Sequence, residues 1–126
     1  MQDFRNLKVW QKAHVLAMDI YRVAGALPRS DGLALTSQLR RAALSVPTNI
    51  AEGAGKAGDA EFRRFLLIAM GSAAEMGYHL LVARDLGLIR NETYDDLSAR
   101  AVEVRRMLTG LIKRLSPTPA TSPTGD

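Results

Sequence analysis

Apolar residues recur along this chain at alternating steps of three and four, the spacing that lines one face of an α-helix, and nowhere show the period of two that marks a strand. The first run, Val9, Trp10, Ala13, Leu16, Ala17, Ile20, Tyr21, Val23 and Ala24, has a polar stripe of Lys8, Lys12, Asp19 and Arg22 opposite it. It predicts a helix over about 7–26, capped by Asn6. Leu27-Pro28-Arg29-Ser30-Asp31-Gly32 breaks that helix, and Ser30 or Asp31 is the expected cap of the next. Leu35, Leu39, Ala42, Val46 and Ile50 define a second helix over about 33–53, followed by the glycine-rich connector 53–58. A third, beginning at Asp59 and running over about 59–86, turns Phe62, Phe65, Leu66, Ala69, Ala73, Met76, Leu80 and Ala83 inward. Asn91 caps the fourth, over about 92–115, whose Tyr94, Leu97, Ala101, Val104, Leu108, Leu111 and Leu115 form a heptad seam.

Four helices with short connections predict an all-α fold, an antiparallel up-down-up-down four-helix bundle over residues 1–115. Residues 116–126, rich in Pro, Thr, Ser and Gly, have nothing to bury and are expected to be a disordered tail. The third helix is rich in small residues (Ala69, Gly71, Ser72, Ala73, Ala74, Gly77), which let helix backbones approach closely. Interior glycine costs a helix up to about 1 kcal/mol relative to alanine, so packing on more than one side of this helix is expected. The apolar arcs of helices one and three are wide for a lone bundle of 126 residues, which predicts a second subunit on part of that surface.

One position breaks the pattern. Pro47 sits inside the second helix, where proline removes a backbone donor and clashes with the carbonyl four residues back, at a cost of roughly 3 kcal/mol. A bend is expected there. Asn49 falls near the apolar side, Glu52 lies about one turn further on, and Gly53 closes the stretch. Buried polar groups need partners, so the Asn49 amide is expected to bond carbonyls freed by Pro47 and to act as a structural lock rather than a ligand site.

Composition adds bounds. The 126 residues suit one domain, 47% hydrophobic and 24% charged, the proportions of an ordinary globular protein. Without cysteine there is no disulfide or thiolate metal site. The N-terminus lacks an apolar signal core, and no uninterrupted apolar run approaches roughly 18 residues, so a cytoplasmic protein without a membrane span is expected. The formal net charge is +4, from 17 Lys and Arg against 13 Asp and Glu, a moderate bias towards polyanions.

Catalytic and cofactor chemistry find little support, and no enzyme activity, cofactor or metal is expected. Glu75 and His79 share a helix face, but di-iron bundles use Glu and His three apart and repeat the motif on a second helix. A structural or surface pair is the simpler account. Ser45, Ser72, His14 and His79 lack a nucleophile elbow. The Gly53–Gly58 connector has no Ser or Thr after its lysine and no preceding strand, so it is not a phosphate loop. Basic residues, in contrast, recur as Lys8 with Lys12 and as the pairs Arg40-Arg41, Arg63-Arg64, Arg105-Arg106 and Lys113-Arg114. Guanidinium matches phosphate geometry, and these are the candidate nucleic-acid contacts. Lys113 and Arg114 also complement the dipole at the end of the fourth helix, and Arg41 could instead pair with acids inside the bundle.

The chain resembles a known family at several points. Phe4-Arg5-Asn6-Leu7-Lys8-Val9-Trp10-Gln11-Lys12-Ala13, Leu27-Pro28, and Ser37-Gln38-Leu39-Arg40-Arg41-Ala42-Ala43 resemble a four-helix-bundle family first noticed in intervening sequences of bacterial 23S ribosomal RNA genes. Ser45-Val46-Pro47-Thr48-Asn49-Ile50-Ala51-Glu52-Gly53 is the most specific segment, and Phe65 to Glu75, Leu86 to Ile89 and Met107 to Ile112 extend the likeness over about residues 4–115. The resemblance implies an antiparallel bundle assembling into a ring-like oligomer, a homopentamer. A related branch, the accessory variability determinant of diversity-generating retroelements, is a basic pentamer that binds nucleic acid and a reverse transcriptase. This chain is less basic than that branch and carries Gly58-Asp59-Ala60-Glu61 where relatives have Ser or Thr at the third-helix start. The expectation is a non-enzymatic oligomer binding RNA or DNA phosphate, or, alternatively, a protein scaffold such as a reverse transcriptase accessory subunit.

Overall fold

A computed structural model describes residues 2–118, apart from the side chains of residues 30–33, as four α-helices with no strand among the described residues. The helices are α1 (Lys8–Gly25), α2 (Arg29–Ala54), α3 (Asp59–Asp85) and α4 (Asn91–Arg114). Each packs on the next in sequence, and α1 also packs on α4, without close backbone approach across either diagonal. One apolar core runs down the middle, led by Leu16, Ile20, Leu39, Ile50, Leu66, Met76, Leu80 and Leu108.

The periodicity places most of these residues correctly. All eight inward positions expected of α3 are buried. By length and composition α3 is also long and apolar enough to cross a membrane. In α1, Tyr21 is exposed, and Trp10 and Val23 are only partly buried. In α4, Ile112 is buried whereas Leu111, Leu115 and Tyr94 are partly covered. The seam there takes a four-residue step after Leu108 in place of the expected three, which rotates Ile112 into the core.

Several helix ends differ from expectation. Asn6 does not cap α1: residues Phe4–Asn6 form a 3-10 turn whose start is capped by Asp3, accepting from the Arg5 N–H at 3.0 Å. That turn is fixed from both sides. The Gln2 N–H donates to the Ala54 carbonyl at 2.9 Å, and the Gln11 amide to the Arg5 carbonyl at 2.8 Å. Phe4 meets the Trp10 ring edge-on at 4.8 Å, and Trp10 stacks on His14. Helix α2 starts at Arg29, directly after Pro28, so Ser30 and Asp31 fall within its first turn and neither is its N-cap residue; their side chains lie outside the described residues. Proline suits a helix start because its missing donor is not needed there. Asn91 is the first residue of α4 rather than its cap. The tail beyond residue 118 lies outside the described residues.

Two glycines are required by geometry. Gly87 has φ +72° and closes α3 with paired hydrogen bonds, Leu88 N–H to the Ala83 carbonyl (2.8 Å) and Gly87 N–H to the Arg84 carbonyl (2.9 Å). This is the left-handed helix stop that glycine enters without a Cβ penalty. Gly53 is buried where α2 meets the start of α3: a Cβ there would lie 2.8 Å from Phe65 Cβ and 2.9 Å from Phe62 Cδ1.

Candidate functional site

The basic residues do not form one patch. Adjacent residues on a helix point about 100° apart, so members of a pair face different surroundings. Arg40 is turned back onto α1. Its Nε and Nη2 donate to the Tyr21 carbonyl at 3.3 and 3.1 Å, and its guanidinium lies 4.2 Å from the Tyr21 ring centroid. Arg64 is held by Glu61 at 3.0 Å and lies over Phe65. That hydrogen bond keeps Glu61 below the usual carboxylate range and raises Arg64. Lys12 pairs with Glu103 at 3.3 Å across the α1–α4 seam. Further along that seam Arg100, which sequence reasoning passed over, reaches Asp19 at 2.8 Å and Asp96 at 3.4 Å.

The remaining candidates make no ion pair among the described residues: Lys8, Arg41, Arg63, Arg105, Arg106, Lys113 and Arg114. All are exposed except Arg63, which is partly buried. The alternative of Arg41 pairing with acids inside the bundle thus finds no partner among the described residues. Arg105 and Arg106 flank a shallow cavity on the α3–α4 side with Met70, Val102 and Thr109.

The proline stretch resolves into separate parts. Pro47 is buried, and the donor it lacks is the one that would reach the Ala43 carbonyl along the helix axis. Asn49 does bond the helix backbone, but at the Ser45 carbonyl (2.8 Å) and Ser45 Oγ (3.0 Å), not at the Ala43 carbonyl, the one four residues before Pro47. The Asn49 bond thus braces the turn that contains the proline without replacing the lost donor. Glu52 is exposed and takes no part, and Gly53 serves helix packing.

Asn49 leads to a feature that the residue spacing alone did not single out. Ser45 Oγ meets Ser72 Oγ at 2.7 Å between α2 and α3. The two hydroxyls line a polar groove of about 320 Å³ with Gln38, Arg41, Ala42 and Glu75. Helical spacing shows its two halves, Gln38, Arg41 and Ser45 on one face of α2 and Ser72 and Glu75 on one face of α3, but not that the halves meet. Glu75 and His79 make no hydrogen bond with each other, and His79 Nδ1 is buried without a partner. No cluster of metal-ligating residues occurs among the described residues.

The fold is thus an all-helical domain with exposed cations and a polar groove between α2 and α3. Residues 5–110 match the family of 23S rRNA-intervening sequence proteins, and the chain belongs to that family. It is also similar to a solved structure from Bacteroides thetaiotaomicron, described as a protein with unknown function from the S23 ribosomal protein family. The two are 25% identical and superpose with a TM-score of 0.79 over 83% of this chain and 95% of that one. No curated protein matches the chain.

Proposed function

We propose that this protein is a non-enzymatic, oligomeric, antiparallel up-down-up-down bundle of the cytoplasm that binds RNA or DNA phosphate without sequence preference. Cross-helix pairings support the antiparallel course, because numbers rise on one helix as they fall on the next. Tyr21 meets Arg40 and Ala24 meets Thr36; Ser45 meets Ser72 and Gly53 meets Phe62. Met70 meets Thr109 and Arg84 meets Tyr94. A bend in α2 near Pro47 fits the lost backbone donor there.

In that course the start of α1, the end of α2, the start of α3 and the end of α4 share one end of the bundle. Lys8, Lys56, Arg63, Lys113 and Arg114 gather there, none in an ion pair among the described residues. Among the described residues, the acids of that end outside the Asp3–Arg5 and Glu61–Arg64 pairs are Glu52 and Asp59. This excess of unpaired cations is the observation that carries the proposal. Phosphate can bind them without breaking an existing pair, and each contact releases counterions.

Assembly is supported by the outward side of α3. Leu67, Ile68 and Tyr78 are exposed there, and nothing lies within 4 Å of a Cβ placed on Gly71 or Gly77. The chain's own packing gives those glycines no reason to be there, and a second copy would. A homopentamer, the number implied by the family resemblance, would repeat the basic end and multiply a weak affinity. The same apolar side favours a second account, a scaffold for another protein such as a reverse transcriptase.

Sedimentation velocity of nuclease-treated protein, followed by fluorescence anisotropy with labelled single-stranded RNA and duplex DNA, tests both. Nucleic-acid binding predicts an oligomer with affinity for both probes at low salt. An oligomer that binds neither would leave the scaffold.

A further inference from the structure

We propose that the groove between α2 and α3 is a binding site for a small zwitterion, an α-amino acid or a compound with the same ammonium–carboxylate pair. This is independent of nucleic-acid binding. The groove holds about 320 Å³, room for one small molecule rather than a polymer.

Its floor carries a hydrogen-bond donor left over by simple accounting. Ser45 and Ser72 share one hydrogen bond at 2.7 Å, which uses one of their two hydroxyl protons. The Asn49 amide cannot accept the other through Nδ2, because that nitrogen donates to the Ser45 carbonyl and to Ser45 Oγ. Neither hydroxyl bonds a backbone carbonyl, as Thr109 does on α4, so one O–H has no acceptor among the described residues. The free proton is on whichever of the two hydroxyls accepts the shared bond, and that bond and Asn49 hold both oxygens in place before any ligand arrives, which lowers the ordering cost of binding.

Charge defines the ligand. Arg41 and Glu75 line the same groove, yet they form no ion pair with each other or with any described residue. A bare anion would gain from Arg41 and the free hydroxyl but be opposed by Glu75. A bare cation would meet the reverse. A ligand presenting a carboxylate to Arg41 and the hydroxyl, and an ammonium to Glu75, satisfies both, with Gln38 at the rim for a further amide contact. Charge-assisted hydrogen bonds of this kind are the stronger class.

The test is thermal denaturation and isothermal titration calorimetry of the full chain with glycine, L-alanine, L-glutamine and L-glutamate, each at roughly 10 mM. Acetate and methylammonium serve as single-charge probes. At least one amino acid should raise the melting temperature saturably, while acetate and methylammonium at the same concentration do not. Arg41→Gln and Glu75→Gln, both at exposed positions, should keep the native circular dichroism and each weaken binding tenfold or more. A flat response to every amino acid would overturn the proposal, as it must if a second copy fills the groove. So would acetate matching the amino acids, or Glu75→Gln binding as well as the parent.

Discussion

The two ends of this bundle carry similar side chains and use them differently. Around the end formed by the close of α1 and the starts of α2 and α4, four arginines are spent on the fold, while Arg29 and Arg90 make no ion pair among the described residues. Arg22 pairs with Asp19, Arg40 lies on Tyr21, Arg84 pairs with Asp85 beneath Tyr94, and Arg100 bridges Asp19 and Asp96. At the other end Lys8, Arg63, Lys113 and Arg114 have no such partner among the described residues. A net charge of +4 describes both ends equally. What separates them is which cations already have a fixed neighbour, because a paired guanidinium has part of its charge compensated and fewer donors left for a phosphate.

The largest expected effect breaks that contrast at the free end. Changing Lys8, Arg63, Lys113 and Arg114 together to Gln should lower RNA affinity by roughly a hundredfold or more near 100 mM salt, with unchanged circular dichroism. Anisotropy titrations check it. The next concerns the packing beneath that end. Gly53→Ala places a Cβ within 3 Å of Phe62 and Phe65 atoms and should cost roughly 1–3 kcal/mol in urea denaturation. Asn49→Leu, which removes the amide bonds to Ser45, should cost about 1–2 kcal/mol by the same measurement. At the opposite end, Arg40→Gln loses the Tyr21 contacts and should cost about 1 kcal/mol while leaving RNA affinity unchanged.

The smallest effect is a pH dependence. Glu61 titrates below its ordinary 4.5 because Arg64 donates to its carboxylate. A depressed carboxylate stabilises the fold above its unfolded value and loses that contribution as pH falls through the folded one. Glu61→Gln should therefore lose that small contribution at neutral pH and show a smaller further loss of stability below pH 4.5. Acid titration of melting temperature for both proteins checks it.

Much of the fold was legible because burial follows helical period. The α3 face was complete, since its large and small apolar residues leave no other side for the core. Misplaced ends share a cause: Pro28, Ser30 and Asp31 all punctuate chains, and only tertiary packing decides whether they precede a helix or open it. Tyr21 was placed in the core because its ring suits it, but Arg40 covers that ring from outside. The sites were less legible. Arg40-Arg41 and Arg63-Arg64 looked alike as dipeptides, yet each splits into differently engaged residues. Ser45 and Ser72 lie 27 positions apart and meet only through the α2–α3 crossing.

The most direct test of the basic end is the salt slope of RNA binding for the parent and the four-residue Gln variant, measured between roughly 50 and 300 mM salt. Each lost phosphate contact should reduce the slope of log K against log salt by about 0.7 on single strands. The account predicts a steep parent slope and a variant shallower by roughly 2–3. Equal slopes for the two proteins would contradict it and assign whatever binding occurs to another face.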